Sequence, residues 1–152
     1  MLESGIEVYV IETDDDYVKL RVVASSGTFA GQADVSDTCE SVSESARMLR
    51  GFPANHRDTR ELEFGNFSDG YAGGAVRLKF FCVDAAGHAA ADVTFRDKVY
   101  FDDDFRIESA EFRIRIAAIA VDSFVVQLLR MAADVEQAAH VGQIARLAAT
   151  LP

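Results

Sequence analysis

VRLKFFCVDAAGHAAADVTFR, residues 76–96, is the stretch whose reading decides the fold of this chain. Val76, Leu78, Phe80 and Cys82 alternate with Arg77 and Lys79, the period-2 pattern of a strand with one buried and one wet face. Asp84, Ala85, Ala86 and Gly87 supply turn residues. Ala89, Ala91, Val93 and Phe95 then alternate with Asp92, Thr94 and Arg96 on a return strand. Two alternating runs joined by a short polar turn predict an antiparallel hairpin.

Working outward, the same period recurs on both sides. Ile6, Val8 and Val10 predict a first strand, and Val18, Leu20 and Val22 a second, with the acidic run Asp14, Asp15 and Asp16 as the turn between them. A third strand is expected over residues 28–35, with Phe29, Ala33 and Val35 inward. Leu62 and Phe64 mark a short strand before the hairpin, and Phe112, Ile114 and Ile116 a last strand after it. The period changes over residues 37–51, DTCESVSESARMLRG, where Val42, Ala46 and Leu49 fall on one helical face. Asp37 with Glu40 three residues later has the form of a capping box, and Gly51 and Pro53 stop the helix. A second helix is expected from Asp122 or Ser123, with Phe124, Val125, Leu128, Leu129 and Ala132 as its buried stripe. Its helical pattern continues through residues 135–149, with Gly142 as an interruption. The expectation is one α+β domain over residues 1–152. It consists of a single antiparallel meander sheet of about seven strands, a helix after the third strand, and C-terminal helices packed on one face.

At 152 residues a domain buries about 68–70% of the surface that its unfolded chain exposes, so a stable core needs no disulfide or metal. Composition places the chain among ordinary globular proteins: 49% apolar and 26% charged, with no tryptophan. The formal charge of −10 is uneven, because residues 1–46 hold ten acids against Lys19 and Arg21. Such a surface repels nucleic-acid phosphates and anionic lipid and attracts basic partners. Solubility alone also accounts for a surplus of this size. The start of the chain lacks a basic segment followed by an apolar run, and the most apolar segment, residues 114–126, is broken by Arg115, Asp122 and Ser123. Cys39 and Cys82 have no metal-like spacing and read as reduced thiols. These features predict a cytoplasmic protein that binds neither nucleic acid nor membrane.

No set of residues has the spacing of a known reaction. His56, His88 and His140 fall in separate elements, away from metal-ligand spacing. His56, in the polar loop 53–60 beside Arg57 and Asp58, is the best single candidate for a catalytic or partner contact, although no nucleophile with an orienting partner accompanies it. The triplets Asp14–Asp16 and Asp102–Asp104 read as polar turns rather than cation loops. Gly70, Gly73 and Gly74 precede a strand and lack the lysine of a phosphate loop. Arg77, Lys79, Arg96, Arg113 and Arg115 point outward from neighbouring strands, interleaved with Asp92 and Glu111; they read as cross-strand ion pairs, or else as a ligand surface.

Two segments taken together carry a resemblance. Residues 74–97 end a strand in Asp84, Gly87 and His88 and return; residues 111–129 run a strand directly into a helix containing Asp122, Gln127 and Leu128. This arrangement resembles the WapI-like immunity proteins, bacterial cytosolic proteins that neutralise toxin domains. The resemblance spans most of the chain and implies a non-enzymatic binding protein with no catalytic residue, cofactor or metal. Its implied partner is a toxin domain, but it names no contact residues; the acidic surplus suits a basic partner, and the surface expected to meet it comprises Asp14, Asp15, Asp16, Glu40, Glu44 and His56. Two other readings stay open. One is a small-molecule-binding or enzymatic domain with a pocket between sheet and helices. The other is a homodimer joined through a sheet edge or the Ala-rich C-terminal helix.

Overall fold

The computed structural model describes residues 3–15, 17–68, 73–101, 104–137 and 144–148. Its elements run β1 (Gly5–Asp14), β2 (Tyr17–Ser25), β3 (Ala30–Thr38), α1 (Cys39–Leu49), β4 (Thr59–Gly65), β5 (Ala75–Cys82), β6 (Ala89–Phe101), β7 (Asp104–Ile116), α2 (Ala118–Gln137) and β8 (Ile144–Ala148). The architecture is α+β, with antiparallel pairing throughout.

The single seven-strand sheet is corrected to two four-stranded sheets, ordered β3-β2-β1-β8 and β4-β5-β6-β7. Alternation identifies which face of a strand is buried but not which strand lies beside it. Here β3 leads into α1 instead of pairing with β4, and the two sheets meet by packing. Glycines allow the close approach. A Cβ on Gly31 would lie 2.6 Å from the Phe95 ring, and one on Gly74 would lie 2.5 Å from the Asp34 carbonyl oxygen.

The predicted inward residues are the core. Ile6, Val8, Val10, Val18, Leu20, Val22, Leu62, Phe64, Val76, Leu78, Phe80, Val93 and Ile114 are each at most 3% exposed. One buried cluster joins them to Val42, Ala46 and Leu49 of α1 and to Val121, Phe124, Val125 and Leu128 of α2. The helices pack on each other; α1 also packs on β3 and β4, and α2 on β8. The Phe52 ring meets Phe80 edge-on, with centroids 5.8 Å apart, and closes the core beyond α1.

The helical continuation over residues 135–149 is corrected in part. α2 ends at Gln137, and residues 144–148 form β8, paired with β1 from Gly5–Ala148 to Tyr9–Ile144. Alanine favours helix in isolation, but Ala145 and Leu147 bury themselves at period 2 against β1, and packing overrides propensity. Without β8 the inner strand β1 would present an open edge. The Ala-rich helix imagined as a dimer contact is therefore a strand at residues 144–148, and Gly142 lies outside the described residues.

Smaller boundaries shift for local reasons. Thr38, not Asp37, caps α1: its Oγ1 accepts from the Ser41 amide at 3.0 Å. Asp37 instead accepts from the Thr38 amide and, through Oδ2, from the Gly65 amide, tying β3 to β4. Glu40 then stands at the second helical position, so no capping box forms. The third strand starts at Ala30, and Phe29 is 66% exposed in the turn before it rather than inward. α2 begins at Ala118, ahead of Asp122 and Ser123. His88 is not a free imidazole, because its Nδ1 sits 2.5 Å from Asp84 Oδ2 across the β5–β6 turn.

Candidate functional site

Two surfaces collect the chemistry that the core leaves exposed. The first is a corner built by register. Tyr17 pairs with Thr38 across β2 and β3, and Asp14 pairs with Tyr17 across β1 and β2. The β1–β2 turn therefore stands beside the point where the chain passes from Thr38 into α1. Asp14 and Asp15 are exposed there, with Asp15 in the left-handed region at φ 47°, a conformation that aspartate tolerates in turns. Glu40, Glu44 and Met48 follow at successive four-residue steps along the exposed face of α1. Tyr17 is 61% exposed and Met48 57%.

Tyr17 borders two concavities. One, of about 260 Å³, is lined by Glu12, Thr13, Asp14, Val18, Lys19 and Ser36 as well. The other, of about 580 Å³, runs from Tyr17 past Asp34 and Asp37 to Gly74 and Asp97. Lys19 is the one basic side chain on either lining. Asp34 is engaged, since the Arg21 guanidinium grips it through Nε at 2.8 Å and Nη2 at 3.0 Å and holds its carboxyl below the usual range.

The second surface is the outer face of the β4–β7 sheet. Arg77 lies between Glu61 and Glu63, at 3.0 and 2.7 Å, and Arg113 holds Asp92 at 2.7 Å. Cross-strand ion pairing thus accounts for these two members of the basic band. Beside them opens a groove of about 320 Å³, lined by His56, Arg57, Asp58, Lys79, Phe81 and Arg113, among others. The pairing of Thr59 with Phe81 brings the 53–58 loop against the sheet face. Asp58 organises that loop: it accepts from the Ala54 amide at 2.8 Å and takes a two-point grip from Arg60. The Arg60 guanidinium, followed by the Ala54 amide, keeps the Asp58 carboxyl below its ordinary value. Arg60 also donates to the Met48 and Arg50 carbonyls, so one side chain ties the loop to the end of α1.

Cys82 closes the groove, with Sγ 3.8 Å from the Asn55 carbonyl. Burial, then the Asp58 and Asp84 carboxylates, push its thiol above the ordinary value, so it stays protonated at neutral pH and is a poor nucleophile. Neither Cys39 nor Cys82 is in a disulfide. Among the described residues no group of three His, Cys, Asp or Glu side chains is placed to hold a metal ion.

The structure therefore brings Asp14 and Asp15 to the start of α1, where Glu40 stands, leaves Glu44 farther along the exposed face of α1, and puts His56 elsewhere, in the groove of the other sheet. Asp16, Asp102, Asp103, His140 and Gly70 lie outside the described residues. Sequence reading missed Tyr17 and Met48 at the acidic corner. A signal existed for Tyr17, an aromatic on the outward phase of β2 directly after an acidic turn. The loop and the basic band were each marked in the sequence, but no local signal joins them, because the groove's residues come from the loop and from β4, β5, β6 and β7. The space between α1, α2 and the inner face of β2, at Val18, Leu20, Val42 and Met131, has no room for a water molecule.

No family model, curated protein or solved structure matches the chain. No described helix is long and apolar enough to cross a membrane.

Proposed function

We propose that this chain is a non-catalytic binding protein whose acidic corner docks a basic protein partner, in the manner of an immunity protein that neutralises a toxin domain. The observation that carries the reading is the Tyr17–Thr38 register, which brings the turn carboxylates Asp14 and Asp15 to the start of α1, where Glu40 stands, with Glu44 farther along its exposed face. Tyr17 at the turn and Met48 at the far end of α1 are large exposed side chains of the types enriched at interfaces. Tyrosine brings area at little rotamer cost, and the concavities on either side of it suit side chains of a partner. Carboxylates at the rim steer a basic surface in and disfavour acidic ones. The resemblance to WapI-like immunity proteins points the same way.

The test uses a basic toxin domain encoded beside this chain as the partner. Co-expression of the chain restores growth, and the purified pair associates with a rate that falls as salt rises. Combined Asp14→Lys, Asp15→Lys, Glu40→Lys and Glu44→Lys changes slow association about tenfold or more at low salt, since steering acts chiefly on the on-rate. An association rate that these reversals leave unchanged overturns the reading, as does continued growth arrest in the presence of folded protein.

A further inference from the structure

We propose that the groove on the outer face of the β4–β7 sheet is a binding site for a small phosphate monoester, held by Arg57, Lys79 and His56 beside the Arg113–Phe81 stack. The inference is independent of the acidic corner, and it concerns the other sheet.

The argument begins with which charges are spent. Arg57, Lys79 and Arg113 line the groove with two carboxylates, Asp58 and Asp92. Asp58 is saturated by Arg60, from outside the groove, and by the Ala54 amide. Asp92 is held at two points by Arg113. Lys79 has two cross-strand neighbours, Glu61 and Asp92, and each is turned to another arginine: Glu61 to Arg77, Asp92 to Arg113. Among the described residues, the Lys79 ammonium, the Arg57 guanidinium and the His56 ring have no hydrogen-bond or ion-pair partner. A chain with 25 acids and 15 bases has carboxylates to spare, yet these donors are left facing one concavity.

Shape and order support the same occupant. The groove volume, about 320 Å³, lies at the lower end of the range for small-ligand sites. Its unpartnered donors come from two sides, with Arg57 and His56 on the loop and Lys79 on β5, while Arg113 on β7 is held by Asp92 beside them. A tetrahedral oxyanion with three free oxygens can use donors from several directions at once, whereas a carboxylate offers two oxygens in a plane. The loop is set in place before any ligand arrives. Its Arg57 amide donates to Asn55 Oδ1 at 2.9 Å, and Asp58 and Arg60 lock the rest, so little ordering cost remains for binding. Phe81 is partly exposed, with the Arg113 guanidinium 4.6 Å from its ring centroid, and offers a flat surface to the ester group. The net negative charge does not defeat this arrangement, because the Debye length is about 8 Å at physiological salt and contacts inside the groove outweigh distant carboxylates.

Backbone amide NMR titration of the whole chain tests the proposal at fixed ionic strength, with phenyl phosphate, inorganic phosphate and acetate as probes. Phenyl phosphate should give saturable shifts confined to residues 55–59, 79–82, 90–92 and 113, with affinity about tenfold or more above that of acetate. Lys79→Glu and Arg57→Glu should each weaken it about tenfold or more, while Lys19→Glu, on the other sheet, leaves it unchanged. Both variants alter exposed side chains, and unchanged amide spectra outside the groove verify their folding. Unsaturable shifts spread over the surface lysines and arginines overturn the proposal. So does equal affinity for acetate, or binding that survives in folded Lys79→Glu protein.

Discussion

The two sheets of this protein are built on different logics. The β4–β7 sheet is a local meander: four consecutive strands within residues 59–116, each hydrogen-bonded to the next in sequence. The β3-β2-β1-β8 sheet starts the same way, then closes with a strand from the far end of the chain, where Gly5 pairs with Ala148. Their outer faces differ as well. The meander consumes most of its outward charges in cross-strand pairs, Arg77 with Glu61 and Glu63, and Arg113 with Asp92. The closed sheet leaves its carboxylates bare at one corner, around Asp14, Asp15 and Glu40. Charges that face each other across neighbouring strands neutralise one another; charges at a turn and a helix start meet only solvent or a partner.

Truncating one core residue in each sheet is the strongest way to probe that difference. Phe80→Ala in β5, a fully buried ring met edge-on by Phe52, should cost about 3–5 kcal/mol in denaturant unfolding. Leu147→Ala in β8 should cost about 2–5 kcal/mol, because it too is buried. The kinetics should separate them. Local pairs are cheap to close and form early, so Phe80→Ala slows folding, whereas Leu147→Ala chiefly speeds unfolding. Chevron plots with the two effects reversed would show that the β1–β8 closure belongs to the nucleus.

The join between the meander and the rest of the core rests on Asp58 and Arg60. Asp58→Asn loses a charge-assisted grip and should cost about 1–3 kcal/mol at neutral pH. The sign with pH follows from the lowered carboxyl. Folding favours the ionised form, so its contribution is present above the unfolded value, about 3.9, and is lost as pH falls through the lower folded value. The gap between wild type and Asp58→Asn should therefore narrow in acid, read by thermal melts from neutral pH to below pH ~4. A gap constant with pH would assign the effect to packing.

The smallest effect concerns the corner. Thr38→Ala removes the α1 cap and should cost about 1 kcal/mol, with Thr38→Ser recovering most of it. Because Thr38 is also the last β3 partner of β2, opposite Tyr17, amide exchange there reports whether the corner frays when the cap is lost. Unchanged protection at Tyr17 and Glu40 would show that strand pairing alone holds the two together.

Much of this was legible in the chain. Each run of alternating apolar residues became a strand, and most of the expected inward residues are buried, from Ile6, Val8 and Val10 to Ile114 and Ile116; Phe29 is exposed, and Cys82 and Phe112 are only partly buried. The α1 stripe of Val42, Ala46 and Leu49 and the α2 stripe of Phe124, Val125 and Leu128 also face the core as their spacing predicts. The candidate carboxylates were legible one at a time, as exposed acids in a turn and on a helix. His56 was legible as an exposed loop residue.

Sequence periodicity by itself therefore determined which side chains are buried, because burial of alternating or helically spaced apolar residues is a local consequence of backbone geometry. Only the tertiary structure decided three things: that the strands divide into two sheets, that residues 144–148 leave the helical pattern to pair with β1, and that His56 joins Lys79 and Arg113 instead of the acidic corner. Each depends on hydrogen bonds or packing between segments distant in the chain. An alternating pattern reads the same whichever strand lies beside it, so no local signal marks those choices.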